Sequence, residues 1–226
     1  MKKFLEIGGV AAAVVLVAFG IAAIFLGYNG KQTVASELKQ QQIVGTSDMT
    51  PSGIAGEVKA AGLKNISLPS CNVAGKSVDS GARARCFAEY MRVHSLLATG
   101  GNVYAQMGQY QAKPGSPKAQ LTPDGATNNI AYAALDPKTN QPIANAARNV
   151  WVTETALSTA LNTSYMADQL GNFGIVVGIA LLLSGIGFLI LALGGIHTDS
   201  WIFSWYYKRR GAKDAVEKKT TPVSAS

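Results

Sequence analysis

Few side chains in this chain have the types and spacing that catalysis requires. The run Gly-Lys-Ser at 75–77 resembles the end of a phosphate-binding loop, but Ser70 stands where such a loop needs its first glycine. Glu154 and Asp168 are the candidate carboxylate pair on a predicted helix. Nearly four helical turns separate them, which is too far for paired acid–base catalysis. We therefore predict no catalytic residues and no enzyme activity.

The two histidines lie on opposite sides of a predicted membrane. His94 is in the middle of the chain, and His197 follows the second of two apolar runs. They cannot share a metal ion or a haem, so each is interpreted as an ordinary polar or interfacial residue. The sequence predicts no metal site and no cofactor.

Cys71 and Cys86 are the only cysteines, and both lie in a region predicted to be outside the cytoplasm. An even number of cysteines in an oxidising compartment favours a structural disulfide. Closing a loop of about 15 residues contributes roughly 3 kcal/mol of stability in the chain-entropy model. The alternative is a redox-active pair, which usually has the closer Cys-x-x-Cys spacing.

Two uncharged apolar runs, at 7–28 and 173–193, are each long enough to cross the ~30 Å hydrocarbon core of a bilayer. They predict transmembrane helices at 7–28 and 173–196. The first run has an alternative interpretation as a cleaved signal peptide. It is longer than the usual apolar segment of about 7–15 residues, and residues 25–29 lack a small-x-small cleavage site. We therefore favour an uncleaved signal anchor.

The flanking basic residues predict the orientation. Lys2 and Lys3 precede the first span, and six basic residues follow the second: Lys208, Arg209, Arg210, Lys213, Lys218 and Lys219. Cytoplasmic flanks are enriched in Lys and Arg. This predicts a multi-pass cell (plasma) membrane protein with a cytoplasmic N-terminus at 1–6, an extracytoplasmic loop at 29–172 and a cytoplasmic basic tail at 197–226.

The tail begins with aromatic and basic residues that predict an interfacial anchor in the lipid bilayer. Its members are Trp201, Trp205, Tyr206, Tyr207, Lys208, Arg209 and Arg210. The alternative is a lipid-binding or partner-binding role. The net charge is +7, but no basic stripe with interleaved aromatic residues is present, so the sequence does not indicate nucleic-acid binding.

Small residues recur on one face of each span, which lets helix backbones approach closely in lipid. They are Ala13, Gly20 and Gly27 in the first span and Gly171, Gly174, Gly178, Gly185 and Ala192 around the second. We predict an antiparallel hairpin in which Gly20 meets Gly178, Ala13 meets Gly185, and Gly27 meets Gly171 or Gly174. The alternative is that one of these faces pairs with another protein.

The loop at 29–172 predicts helical segments near 31–44, 80–99 and 151–170, the last continuous with the second span. Its apolar face is predicted to contain Trp151, Ala156 or Leu157, Ala160 or Leu161, Tyr165 and Leu170. Five prolines between 101 and 149 predict irregular structure there. The fold class is a mainly α membrane protein: a two-helix transmembrane hairpin with a helical stalk and a partly irregular extracytoplasmic domain.

The stretch 149–165, with its run into 173–178, resembles a family of uncharacterised two-span membrane proteins of actinobacteria. Some members of that family are labelled as aromatic ring-opening dioxygenase subunits. A non-haem iron site of the usual kind needs two histidines and a carboxylate together. The predicted separation of His94 from His197 argues against that chemistry here, so we treat the label as naming drift.

Three functional hypotheses follow. The first is a non-enzymatic envelope protein, a scaffold or accessory subunit that contacts another membrane or envelope protein. The second is an extracytoplasmic module that binds or senses a ligand, and the third is an enzyme. An apolar stripe along the stalk would favour the first hypothesis, and a concave pocket lined by aromatic residues would favour the second.

Overall fold

The protein is mainly helical. The computed structural model describes the backbone of residues 2–197 and the side chains of residues 6–193. The α-helices are α1 (Lys2–Gln40), α2 (Pro51–Ala60), α3 (Gly81–Ala98) and α4 (Ala146–His197). Short 3₁₀ turns cover Tyr104–Gln106, Lys118–Gln120 and Ile130–Tyr132. Within residues 2–197 there are isolated β-bridges but no strand.

Two helices are long and apolar enough to cross a membrane, in Glu6–Gln40 and Ala146–Leu193. Large apolar side chains point away from the protein along both: Phe19 is 65% exposed and Leu191 is 73% exposed. Continuous apolar surface of this kind is unfavourable in water and suits a lipid environment. The interfacial anchor predicted at 201–210 lies outside the described residues.

The chain divides into two units. One contains α1 up to Tyr28 and α4 from Phe173 onward, and the other is Asn29–Asn172, which we call the loop domain. The bounds of α1 differ from the prediction of a helical segment near 31–44, because the helix ends at Gln40. Gln42 follows with a positive φ of 52°, a conformation that stops a helix.

In the first unit, α1 and α4 run antiparallel with their backbones in close contact. A Cβ atom on Gly178 would lie 2.7 Å from the carbonyl oxygen of Gly20, and one on Gly20 would lie 2.8 Å from that of Gly178. A Cβ on Gly185 would lie 3.0 Å from the carbonyl oxygen of Ala13. Only glycine fits at the Gly20–Gly178 contact without displacing backbone.

Gly27, Gly174 and Ala192 also lie at this contact, whereas Gly171 does not belong to this unit. Gly174 faces Gly27, whose Cα would be 3.6 Å from an added Cβ, and Ala192 is 8% exposed beside Gly9. Gly171 is buried within the loop domain. The spacing of small residues is thus used for backbone contact between α1 and α4; the pairing of these helices inside a bilayer stays a prediction.

The loop domain has its core around α2 and α3. Thr50 caps α2 by accepting a hydrogen bond from the Gly53 amide, and Pro51 opens the first turn, where its missing N–H costs nothing. Ile54 and Val58, one turn apart on α2, are 0% and 7% exposed and belong to the same apolar cluster as Tyr90 of α3. Burial of that stripe holds the short helix in place.

Cys71 and Cys86 form the predicted disulfide, with their Cα atoms 6.0 Å apart. It joins the segment before α3 to the first half of α3. Tyr90 lies one turn after Cys86 on α3, and its hydroxyl donates a hydrogen bond of 2.6 Å to the carbonyl oxygen of Cys71. The covalent bond and the hydrogen bond fix the same segment, so α3 is anchored at two successive turns.

The chain between α3 and α4 is largely irregular up to residue 145, whereas the sequence predicted irregular structure up to 149, and Asp124 organises this segment. Its carboxylate accepts hydrogen bonds from the Thr122 hydroxyl (2.6 Å), the Asn145 side-chain amide (2.8 Å) and the backbone amides of Ala126 (3.2 Å) and Gly108 (3.3 Å). Burial raises the pKa of Asp124, but these four hydrogen bonds lower it by more, so it lies below the ordinary value. One ionised side chain therefore ties three separate segments together.

Asp124→Asn should destabilise this region by about 1–2 kcal/mol at neutral pH, since hydrogen bonds to a charged acceptor are lost. Because the folded-state pKa is lowered, the contribution is present above the ordinary value of 3.8 and disappears as pH falls through the lowered one. Hydrogen exchange of residues 108–145 measures the effect, with α3 as internal reference. An equal difference between variant and wild type at about pH 7 and about pH 3 would contradict this role.

Gly178→Leu should weaken the contact between α1 and α4, because its Cβ alone would overlap the Gly20 carbonyl. Gly187→Leu is the matched control, since nothing lies within 4 Å of a Cβ added there. The measurement is disulfide crosslinking between cysteines introduced as Gly9→Cys and Ala192→Cys, whose Cβ atoms would be about 3.2 Å apart. We expect severalfold less crosslinking in Gly178→Leu alone; equal crosslinking in both variants would refute the contact in membranes.

Candidate interaction surface

The part of α4 inside the loop domain reverses the usual polarity of a surface helix. Between residues 149 and 172 the only charged residues are Glu154 and Asp168, and both face the domain interior. Glu154 is 5% exposed. Asp168 has a side chain that is 15% exposed and pairs with Lys31 of α1, with 3.7 Å between Nζ and Oδ1. The outer side of the helix is left without a charge.

The inner side of α4 is fixed by close packing. Trp151 is 3% exposed and donates a hydrogen bond of 2.8 Å from its indole nitrogen to the carbonyl oxygen of Asn102. Leu161, also 3% exposed, belongs to the main core. At the start of α3, a Cβ on Gly81 would lie 2.9 Å from the Cα of Tyr165, so glycine permits the approach of α3 to α4. These contacts fix the rotation of α4 about its axis within the loop domain.

The outer side carries a regular row of exposed, uncharged side chains, which we call the α4 stripe: Val152, Ala156, Thr159, Thr163, Met166 and Leu170. Successive members are alternately four and three residues apart, the heptad spacing of helices that pack against another helix. Val152, Met166 and Leu170 are 55%, 64% and 66% exposed. The Thr163 hydroxyl donates to the carbonyl oxygen of Thr159 (2.8 Å), so its polar group is satisfied within the helix.

The stripe corrects our interpretation of this helix. The sequence predicts one apolar face that contains Trp151, Ala156 or Leu157, Ala160 or Leu161, Tyr165 and Leu170. In the structure Trp151, Leu157, Leu161 and Tyr165 are buried or half-buried. Ala156 and Ala160 are exposed, and Leu170 is exposed on the other side. Five residues along an α-helix correspond to one full turn and about 140° more. Leu170 therefore cannot share a face with Tyr165.

The run at 75–77 that resembles a phosphate-binding loop makes backbone hydrogen bonds within the protein. The amide of Lys76, in the run that resembles a phosphate-binding loop, donates to the Val73 carbonyl, and that of Gly75 donates to Gly45. These amides are therefore occupied rather than directed at an anion. Of His197 only the backbone is described.

His94 forms a hydrogen bond with Asp48, with 2.7 Å between Nε2 and Oδ2. A hydrogen bond from Thr46 lowers the pKa of Asp48, burial opposes this, and the His94 contact lowers it further, so the net pKa is below the ordinary value. The sequence predicts His94 to be an ordinary polar or interfacial residue; its contact with Asp48, 46 positions away along the chain, arises from tertiary packing.

A cleft of about 600 Å³ lies between residues 64–69 and α3. Its lining mixes charged residues, Lys64, Glu89 and Arg92, with aliphatic ones such as Val93 and Leu96. Among the described residues that line it none is aromatic. The cleft therefore lacks the feature that would favour a ligand-binding module.

Comparison of this chain with protein-family models, with curated proteins and with solved structures gave no match. The resemblance of residues 149–178 to two-span actinobacterial membrane proteins stays a prediction.

Proposed function

We propose that this protein is a non-enzymatic envelope scaffold or accessory subunit, whose α4 stripe binds a helix of another membrane-anchored protein. In this proposal α1 and α4 form an antiparallel transmembrane hairpin, with spans at 7–28 and 173–196. Both termini face the cytoplasm and the loop domain lies outside it.

The orientation is supported by the basic flanks and by the disulfide. Lys2 and Lys3 lie before the first span, and the chain after the second span is rich in Lys and Arg. A disulfide between Cys71 and Cys86 persists in an oxidising compartment, outside the cytoplasm.

The α4 stripe is the observation that carries the proposal. Helices exposed to water normally place charged residues on the outer side, and this one places its two charges inside. Burying large apolar side chains such as Met166 and Leu170 against a partner contributes about 1.5–3 kcal/mol each. Because the stripe offers no charge to pair with, the partner should present an uncharged, apolar helix face, since a desolvated charge on it would be costly.

Heptad spacing also indicates the shape of the partner. A row with alternating steps of three and four residues fits the side-chain holes of a helix lying nearly parallel to it. A membrane-anchored partner would present such a helix nearly parallel to α4. Because its anchor already restricts its orientation, little orientational freedom would be lost on binding. The cleft beside α3 does not support the competing hypothesis of a ligand-binding module, since its described lining mixes charges and contains no aromatic residue.

Site-specific photo-crosslinking tests the proposal. A photoreactive residue replacing Met166 should crosslink in intact cells to a helix of a second membrane protein, and the crosslinked helix should have an uncharged face. Ile130 is the matched control, because it is apolar and 62% exposed but belongs to the 3₁₀ turn Ile130–Tyr132 and not to α4. An adduct between two copies of this chain would replace the proposed partner by self-association, and no adduct at Met166 would refute the interface.

Met166→Lys should reduce the amount of partner, identified by the crosslinking experiment, that is recovered with this chain in mild detergent. The reason is that an unpaired ammonium would be buried at the interface. We expect affinity to fall at least about tenfold, whereas Ile130→Lys should leave it unchanged. Measurement of the partner bound per chain by quantitative mass spectrometry decides the outcome. Equal recovery with both variants would contradict the role of the stripe.

A further inference from the structure

Three side chains that are far apart in the sequence meet between α2 and α3. Asp48 lies before α2, Glu57 lies on α2 and His94 lies on α3. One potential ligand atom from each residue lies within 4.8 Å of the other two. We propose that Asp48, Glu57 and His94 form a site for a divalent transition-metal ion of the Zn²⁺ class.

The ligand set fits such an ion in both chemistry and charge. Zn²⁺ is bound by imidazole nitrogen and carboxylate oxygen at about 2.0–2.2 Å, often with three protein ligands and an open fourth position. Two carboxylates and a neutral imidazole carry two negative charges, which balance the ion. Ca²⁺ and Mg²⁺ prefer sites built entirely from oxygen, so the imidazole of His94 disfavours them.

The distances require only small movements. Ligand atoms around a tetrahedral Zn²⁺ ion are about 3.3 Å apart, given those bond lengths. The Nε2 atom of His94 and the Oδ2 atom of Asp48 are 2.7 Å apart and would open slightly around the ion. Glu57 is exposed, so its flexible side chain can move the remaining distance without disturbing the core.

Core packing holds the backbone of all three residues. Asp48 is followed by Met49, which is 2% exposed, and Glu57 by Val58, which is 7% exposed. His94 lies between Val93 and Ser95, which are 2% and 3% exposed. Each candidate ligand is therefore one residue from a core anchor, which limits the entropy lost when an ion binds.

The site is accessible from solvent. The side chains of Asp48 and His94 are 28% and 26% exposed, so an ion can enter and keep water in its fourth position. Binding would cross-link the turn before α2, α2 itself and α3. This inference does not depend on the proposed scaffold role, because it uses α2 and α3 and involves no residue of the α4 stripe.

Zn²⁺ binding to the full-length chain in mild detergent tests the site. The protein carries no polyhistidine tag and is freed of metal with a chelator, and Zn²⁺ is then titrated against a fluorescent zinc indicator. We expect one Zn²⁺ per chain, not displaced by excess Ca²⁺ or Mg²⁺. Co²⁺ should give the intense visible absorption of a four-coordinate ion.

Glu57→Gln is the decisive variant, because it removes a ligand from an exposed position and leaves the Asp48–His94 pair intact. Changes to groups that merely orient a ligand lower affinity about 10–100-fold, so loss of a direct ligand should reach about 100-fold or more. Glu37→Gln is the matched control: Glu37 is an exposed carboxylate on α1, outside the cluster. His94→Gln should lower affinity similarly and abolish the Co²⁺ absorption.

Two results would overturn the proposal. One is the absence of stoichiometric Zn²⁺ binding to the wild-type chain. The other is wild-type affinity in Glu57→Gln, which would assign the bound ion to adventitious surface groups. If His94→Gln fails to fold, as judged by loss of helical circular dichroism, the comparison of Glu57→Gln with Glu37→Gln still decides the matter.

Discussion

The packing of α3 is the constraint on which the loop domain depends. The helix contributes large buried side chains, Phe87, Tyr90 and Val93, to a core shared with α2. The disulfide at Cys86 and the hydrogen bond from Tyr90 hold the preceding segment against it. At its first residue, Gly81, the absence of a side chain allows α4 to approach. A shift or rotation of α3 would disturb all of these contacts together, so they fix its position and rotation.

This fixed position explains both features to which we assign function. Rotation of α3 about its axis decides whether His94 reaches Asp48, because Val93 and Ser95 on either side of it must stay buried. The same packing fixes which side of α4 is turned inward, through the contacts of Gly81 with Tyr165 and Asp168. The α4 stripe is the side of the helix that remains exposed after this packing. Its residues are uncharged in the sequence, and the packing decides that they face outward.

The long helices could be predicted from the sequence because their signal is local. An uncharged apolar run needs no partner to be recognised, and Ser80 and the glycines at 100 and 101 bracket α3. Two results could not be predicted in this way. The meeting of Asp48 with His94 spans 46 positions and depends on tertiary packing. The inner side of α4 was misassigned at Leu170 because apolar residues occur on both sides of that helix, so composition does not reveal which side is buried.

The polarity of α4 is also an argument about energy. Glu154 is nearly buried, and the hydrogen bond it accepts from the neighbouring Thr155 hydroxyl is long, at 3.4 Å. Val152, Met166 and Leu170 meanwhile face outward. For an isolated domain in water, the opposite arrangement would have lower free energy, since burial favours apolar groups and exposure favours charges. Covering the stripe with an apolar helix would remove Val152, Met166 and Leu170 from water while Glu154 stays buried, and this favourable change is the physical basis of the partner that we propose there.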